Sequence, residues 1–239
     1  MKQIFFDRDV GAGDILSLED SVAHHLFDVL RTTSKERIRV VSNGHVYLAR
    51  VLEKPQIEIV EEIESSSAST QPELTLCAAM IKADKFEWML QKAAELGVNR
   101  IVPFTSERTV VSIEPKKIGR KMERWASILE QACRQSNRTD LVKLEAPCTL
   151  KDLGKYTADV SICAWEKEDE HRILYDELSS PFASASFVIG PEGGLSEKEA
   201  LFLEQAGYAL CSLGSNILRA ETAACFVLSA AQYQAQANA

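Results

Sequence analysis

The chain has 239 residues, 46% of them hydrophobic, which suffices for one large domain or for a small domain beside a medium one. No stretch approaches the roughly 18 apolar residues of a membrane span, and the start, Met1 to Asp9, meets charge too soon for a signal peptide. A cytoplasmic protein without membrane contact is therefore expected, and the net charge of −8 argues against a uniformly basic surface.

Along the chain the first signals are those of a small, strand-rich module. Asp20–Arg31 carries Val22, Leu26, Val29 and Leu30 at helical spacing. Arg37–Val41 and His45–Val51 alternate around Asn43-Gly44, the dipeptide of a tight hairpin, and Gln56–Val60 reads as a further strand. Several short strands close most naturally as a β-barrel. The polar, serine-rich run from Glu64 to Pro72 cannot bury surface and reads as a linker. It divides the chain into residues 1–66, a linker over 67–72 and a module over 73–239.

The second module alternates. Leu74–Met80 is an apolar strand, and Phe86, Met89, Leu90, Ala93 and Leu96 follow helical spacing up to Gly97. Arg100–Phe104, Val160–Ala164, Phe187–Ile189 and Ala209–Leu213 read as strands. Lys116–Ser136 and Ala220–Gln234 read as helices, and Ser196 with Glu199 forms a capping box that opens another, to about Ala206. Such alternation implies an α/β fold with a mainly parallel sheet. The six cysteines form no C-x-x-C pair and, with four scattered histidines, make no metal pattern; reduced, mostly buried thiols and no metal are expected.

Ligands of open α/β sheets bind beyond the carboxyl ends of the strands. Two segments stand there: Ile189-Gly190-Pro191-Glu192-Gly193-Gly194-Leu195 and Leu213-Gly214-Ser215-Asn216-Ile217-Leu218-Arg219-Ala220-Glu221-Thr222. The three glycines let the backbone approach a ligand closely. Glu192 in their midst repels phosphate, so a ligand with amino or hydroxyl donors, or a cation, fits better than a nucleoside triphosphate. Arg219 stands at a helix start, where the dipole disfavours a cation. It calls for an anionic partner: a ligand carboxylate, an RNA phosphate or a nearby glutamate. Residues 100–143 hold ten Lys/Arg against five Asp/Glu, a net +5, leaving −13 elsewhere. Within this segment Arg134 and Arg138, taken as i and i+4 on one helix face, can clamp phosphate, with Gln135 offering an amide to a base edge.

Together these segments resemble the RsmE family of the SPOUT methyltransferases. Lys82 with Glu87-Trp88, Gln91-Lys92 through Glu95-Leu96-Gly97-Val98, Ser106-Glu107-Arg108, Gln135 with Arg138, Gly190 through Ser196, and Leu213-Gly214 with Leu218-Arg219-Ala220-Glu221-Thr222 match its motifs in order. In the first module so do His25 and Val29-Leu30-Arg31. The chain departs from the family at Asn216, where a basic residue is usual, at Ser215, often a proline, and at Arg134, commonly acidic. The resemblance implies a PUA-like, RNA-binding barrel followed by a SPOUT domain whose C-terminal trefoil knot holds S-adenosylmethionine. It implies a homodimer that methylates N3 of uridine 1498 in 16S ribosomal RNA, free or in the small ribosomal subunit.

On that reading Ile189, Gly190, Pro191, Glu192, Gly193, Gly194, Leu213, Gly214, Asn216, Ile217, Leu218 and Thr222 hold the cofactor. Arg31, Arg108, Arg134, Gln135, Arg138 and Arg219 hold RNA, and Arg219 and Glu192 are the catalytic candidates. N3 lies on the Watson–Crick edge, so the uridine must be unpaired or flipped. The rival readings are a SPOUT enzyme acting on transfer RNA and a non-catalytic RNA-binding protein with a relict pocket.

Overall fold

The computed structural model describes residues 1–64, 71–111, 114–167 and 173–237. Of the run read as a linker over 67–72, residues 67–70 lie outside the described residues. The chain forms two compact units, one of Met1–Ser69 with Cys133–Leu141, the other of Thr70–Ala132 with Val142–Ala239.

The first unit contains β1 (Gln3–Phe6), β2 (Ile15–Ser17), α1 (Asp20–Ala23), β3 (Arg37–Ser42), β4 (His45–Val51) and β5 (Gln56–Glu64). They form a five-stranded sheet in the order β1-β3-β4-β5-β2, in which β1 runs parallel to β3. The β3–β4 hairpin turns at Asn43 and Gly44, whose φ of 49° and 82° are what the tight turn requires. Ile4, Leu26, Ile38, Val40, Ile57 and Ile59 are fully buried at the centre of this unit.

The single helix expected over Asp20–Arg31 is different. After α1 the chain widens over His24–Val29, with Leu30 N–H reaching five residues back to His25 O at 2.9 Å. Thr32 then donates to Leu26 O from both its backbone nitrogen (3.1 Å) and its hydroxyl (2.7 Å), and Arg31 turns left-handed at φ 49°. Of the four spaced apolar residues Leu26 is buried, Val22 and Leu30 are half-buried and Val29 is exposed, and the hydroxyl of Thr32 takes the carbonyl that a longer helix would use.

Cys133–Leu141 is grouped with this unit, and one hydrogen bond to it is foretold by no hydrophobic pattern. Gln3 Nε2 donates to Arg138 O at 2.7 Å, and Arg39 Nε donates to Gln3 Oε1 at 3.2 Å.

The second unit contains β6 (Glu73–Ala79), α2 (Ala83–Glu95), β7 (Arg100–Thr105), α3 (Pro115–Gln135, whose last residues are grouped with the first unit), β8 (Lys143–Leu144) and β9 (Cys148–Thr149). After a 3-10 turn at Leu150–Tyr156 follow β10 (Val160–Ala164), α4 (Leu174–Leu178), β11 (Ser184–Ile189), α5 (Glu197–Gln205), β12 (Ala209–Cys211) and α6 (Ala220–Ala237). The strand order is β12-β10-β11-β6-β7-β8, with β9 also on β7, and every pairing is parallel. Such strands bury both faces, and β6 and β11 are buried at every residue but the first. Parallel pairing also brings all the carboxyl ends to one edge.

The six cysteines are free thiols, and burial pushes the Cys77 thiol up to about 12. Beside Cys77 the fully buried Tyr208 donates its hydroxyl to Leu153 O at 2.9 Å and lies 3.4 Å from Ser186 Oγ. Tyr208→Phe strands that carbonyl without a donor. Urea unfolding should show a loss of about 1–3 kcal/mol, with ligand binding at the distant strand edge unchanged.

Candidate active site

Three strands end side by side. After β10 come Trp165 and Glu166, after β11 the glycine loop, and after β12 the segment Ser212–Arg219. Between them lies a cavity of about 530 Å³, inside the range of roughly 300–1,000 Å³ usual for small-molecule sites. Its wall includes Ile189, Gly190, Pro191, Glu192, Gly193, Gly194, Leu213, Gly214, Asn216, Ile217, Leu218 and Arg219. Thr222 is exposed and is no part of that wall. α6 begins at Ala220, and Ala220 and Ala223, three residues apart, face the cavity, so Thr222 falls on another side of the helix. Lys85, Ala164, Trp165, Glu166, Ser212 and Ser215 also line it. The rule that ligands sit beyond carboxyl ends applies to β10 as much as to β11 and β12, and would have pointed to Trp165 and Glu166.

The glycine loop is held from several directions. Gly194 takes φ 66° and donates from its nitrogen to Pro191 O at 2.9 Å, closing a turn. Ser196 caps α5 with Glu199 in the expected reciprocal box. Glu199 Oε1 also accepts from Glu107 N–H at 2.7 Å, which draws in the loop after β7. From there Arg108 Nη1 donates to Gly193 O at 2.9 Å. Arg108, read from sequence as an RNA contact, thus lies on the glycine loop. A Cβ on Gly193 would stand 3.3 Å from Arg108 Cβ, so this glycine makes room for the arginine.

Two cations, Lys85 and Arg219, and two carboxylates, Glu166 and Glu192, border the cavity. Lys85 Nζ lies 3.5 Å from Glu221 Oε1. The other oxygen of Glu221 is buried with no hydrogen-bond partner. Glu192 Oε1 accepts a long hydrogen bond from Lys82 N–H, 3.4 Å. Arg219 is exposed, immediately before α6, and among the described residues no ion pair or side-chain hydrogen bond engages it. Glu221 and Glu192 are turned to Lys85 and Lys82, so neither neutralises Arg219.

The basic segment corrects one expectation. Arg134 and Arg138 do not share a helix face, because α3 ends at Gln135 and Asn137 turns left-handed at φ 56°. Arg138 is bound by Asp140 at 2.6 Å with its side chain only 10% exposed, whereas Gln135 and Arg31 are exposed. Arg134 is half-buried. Among the described residues no group of three or more His, Cys, Asp or Glu is arranged to hold a metal ion.

Comparison with known proteins places this geometry in context. A family model described as an RNA methyltransferase domain matches residues 68–232, and one described as an RNA methyltransferase PUA domain matches residues 18–62. The chain is 30% identical over 231 residues to ribosomal RNA small subunit methyltransferase E of Bacillus subtilis, covering 92% of this chain and 90% of that protein. Among solved structures, ribosomal RNA small subunit methyltransferase E from Neisseria gonorrhoeae, bound to S-adenosyl methionine, is 27% identical with a TM-score of 0.85 over 97% of each chain. A Legionella pneumophila protein in complex with the bound cofactor SAM is 28% identical, with a TM-score of 0.85 over 97% of this chain and 96% of that one.

Two glycines give a paired test of the loop. Gly194→Ala must hold a left-handed φ, at about 1–2 kcal/mol, and would bring Cβ to 2.6 Å from Glu166 Oε1. Gly119 lies within α3 with open space around a built Cβ, so Gly119→Ala should stabilise by about 0.5–1 kcal/mol. Thermal melts should shift in opposite directions; a Gly194→Ala protein as stable as the parent would contradict the loop geometry.

Proposed function

The chain belongs to the ribosomal RNA small subunit methyltransferase E family, and from that premise we propose that it transfers a methyl group from S-adenosylmethionine to N3 of uridine 1498 in 16S ribosomal RNA. The observation that carries the reading is the cavity at the edge of β10, β11 and β12, with an uncommitted arginine, Arg219, at its border.

The cavity suits S-adenosylmethionine. Its wall includes four glycines and the apolar Trp165, Ile189, Leu195, Leu213, Ile217 and Leu218, against which an adenine ring can pack. Gly214, at φ 116° with nothing within 4 Å of a built Cβ, keeps one side open. Glu166 and Glu192 suit a cationic ligand with amino and hydroxyl donors, Lys85 and Arg219 its carboxylate, and the two glutamates discourage phosphate. When bound, the cofactor supplies a methyl group already activated on a positively charged sulfur.

What the chain contributes is orientation and charge. Ile189–Gly194 and Leu213–Leu218 fix the ligand between two anchored loops, so that a uracil brought to the mouth meets it in line. N3–H of uracil is a weak acid and reacts as its anion. Arg219, cationic and unpaired, stabilises that anion where it forms. Glu192, held only by a long hydrogen bond, is the side chain within the wall best placed to accept the N3 proton. Arg31, Arg108, Arg134, Gln135 and Arg138 complete the RNA grip in this reading: Arg31 by direct contact, Arg108 through the loop it braces, Arg138 only in competition with Asp140. Residues 1–66 serve as the RNA-binding domain and residues 73–239, with a C-terminal knot, as the methyltransferase. Two chains pair as a homodimer in the cytoplasm. No helix of the described residues is long and apolar enough to cross a membrane.

The direct test is calorimetry with S-adenosylmethionine followed by mass mapping of methylated uridines in RNA treated with the protein. Heat of binding and N3-methyluridine at position 1498 are expected. A modified transfer RNA instead, or no heat, would replace this reading by one of its rivals. Arg219→Ala should lower single-turnover methylation at saturating cofactor by about a hundredfold or more while cofactor affinity holds; a parental rate would end its catalytic assignment. Arg31→Ala should reduce the slope of log affinity for RNA against log salt by about one phosphate contact, and an unaltered slope would show a merely solvated side chain.

A further inference from the structure

We propose that Glu166 is a cofactor-binding residue whose carboxylate accepts hydrogen bonds from the two ribose hydroxyls of the S-adenosyl group. The inference rests on the reading that this cavity holds S-adenosylmethionine.

Glu166 stands two residues beyond the end of β10 and forms part of the cavity wall. Its carboxyl group lies against the glycine loop, Oε1 nearest. A Cβ built on Gly194 would meet Glu166 Oε1 at 2.6 Å, Cδ at 3.3 Å and Oε2 at 3.4 Å, and these are its three nearest atoms. Gly194 therefore leaves the space in which this carboxylate sits. Nothing in the described chain uses it. No described residue forms an ion pair or hydrogen bond with Glu166, and the adjacent Lys167 is turned away to Glu197 at 2.8 Å. A carboxylate at a cavity wall with both oxygens unengaged among the described residues can accept from two donors.

Strand order selects which donors. β11, which leads into the glycine loop, lies between β10 and β6. Lys85 belongs to the helix after β6 and Glu166 to the loop after β10, so they flank the glycine loop from opposite sides, with their strands about 10 Å apart at the usual inter-strand spacing. The amino-acid carboxylate of the ligand needs a cation and belongs on the Lys85 side. The adenine edge offers a single amino group beside acceptor nitrogens, which a carboxylate repels. The vicinal hydroxyls are neutral, adjacent and both donors, and match two free carboxylate oxygens.

The experiment is titration calorimetry on the full chain with three probes: S-adenosylmethionine, S-adenosylhomocysteine and 5′-methylthioadenosine. Only the first carries the sulfonium charge, the last lacks the amino acid, and all three carry the ribose diol. Glu166→Gln and Glu166→Ala should weaken all three by a similar factor, about tenfold or more, with an unchanged thermal melt because the side chain is exposed. Unchanged affinities overturn the assignment. Weakening confined to S-adenosylmethionine also overturns it, since that would place the carboxylate on the sulfonium. A parent protein that binds none of the probes would instead overturn the cavity's function, and this inference with it, so the two failures are distinguishable.

Discussion

Glu199 makes three hydrogen bonds with its two carboxylate oxygens, and the site depends on where they go. One oxygen accepts from Ser196 N–H at 2.9 Å and Ser196 Oγ at 3.1 Å, and the other from Glu107 N–H at 2.7 Å. Charge-assisted bonds of this kind are the stronger ones, and the carboxylate also sits favourably at the start of α5. The first pair fixes the exit of the glycine loop. The third brings in the loop after β7, from which Arg108 holds Gly193 O. Because β6 separates β7 from β11 in the sheet, this bracing spans three strands. The loop that walls the cavity is thus pinned at its base by β11, at its exit by α5 and on its flank by Arg108.

Much of this was legible along the chain because parallel strands need apolar runs and helices need their period. Leu74–Met80, Val160–Ala164 and Phe187–Ile189 correspond to β6, β10 and β11, and the Ser196–Glu199 box opens α5 as its spacing implies. β1 and β2 escaped because four and three residues are too few to show alternation. The early end of the first helix escaped because it turns on one hydroxyl, that of Thr32, and not on hydrophobicity. The glycine and Leu213–Leu218 loops could be found locally, each being a strand end with unusual residues. Glu166 lies beyond the end of β10 and was within reach of the same rule, but Lys85 was not, for it stands on α2 and reaches the cavity only because β6 lies beside β11, about a hundred residues away along the chain. Arg134 and Arg138 show the opposite error, in which correct helical spacing was extended past a left-handed Asn137.

Charge counts need the same correction. The basic excess between residues 100 and 143 suggests a field of free cations, yet Arg124 is engaged by both oxygens of Glu87 and Arg138 by Asp140. What stays exposed at the start of α3 is Lys116, Lys117 and Arg120, with Lys117 at 2.8 Å from Glu114. The electrostatic surface offered to a polyanion is therefore patchier than composition implies, and an acidic protein approaches RNA through a few placed cations more than through its overall charge.

The wall formed by residues 213–218 has one further property. Ser215, Asn216 and Ile217 border the cavity while their side chains stand in solvent, Ile217 at 85% exposure. Where side chains stand in solvent and main chain closes the wall, the surface is nearly blind to which side chains it carries. Substitutions at these three positions that keep the backbone path can therefore accumulate without reshaping the pocket. The same blindness would leave few routes of escape from an inhibitor shaped to that main chain, since resistance would require moving the backbone itself.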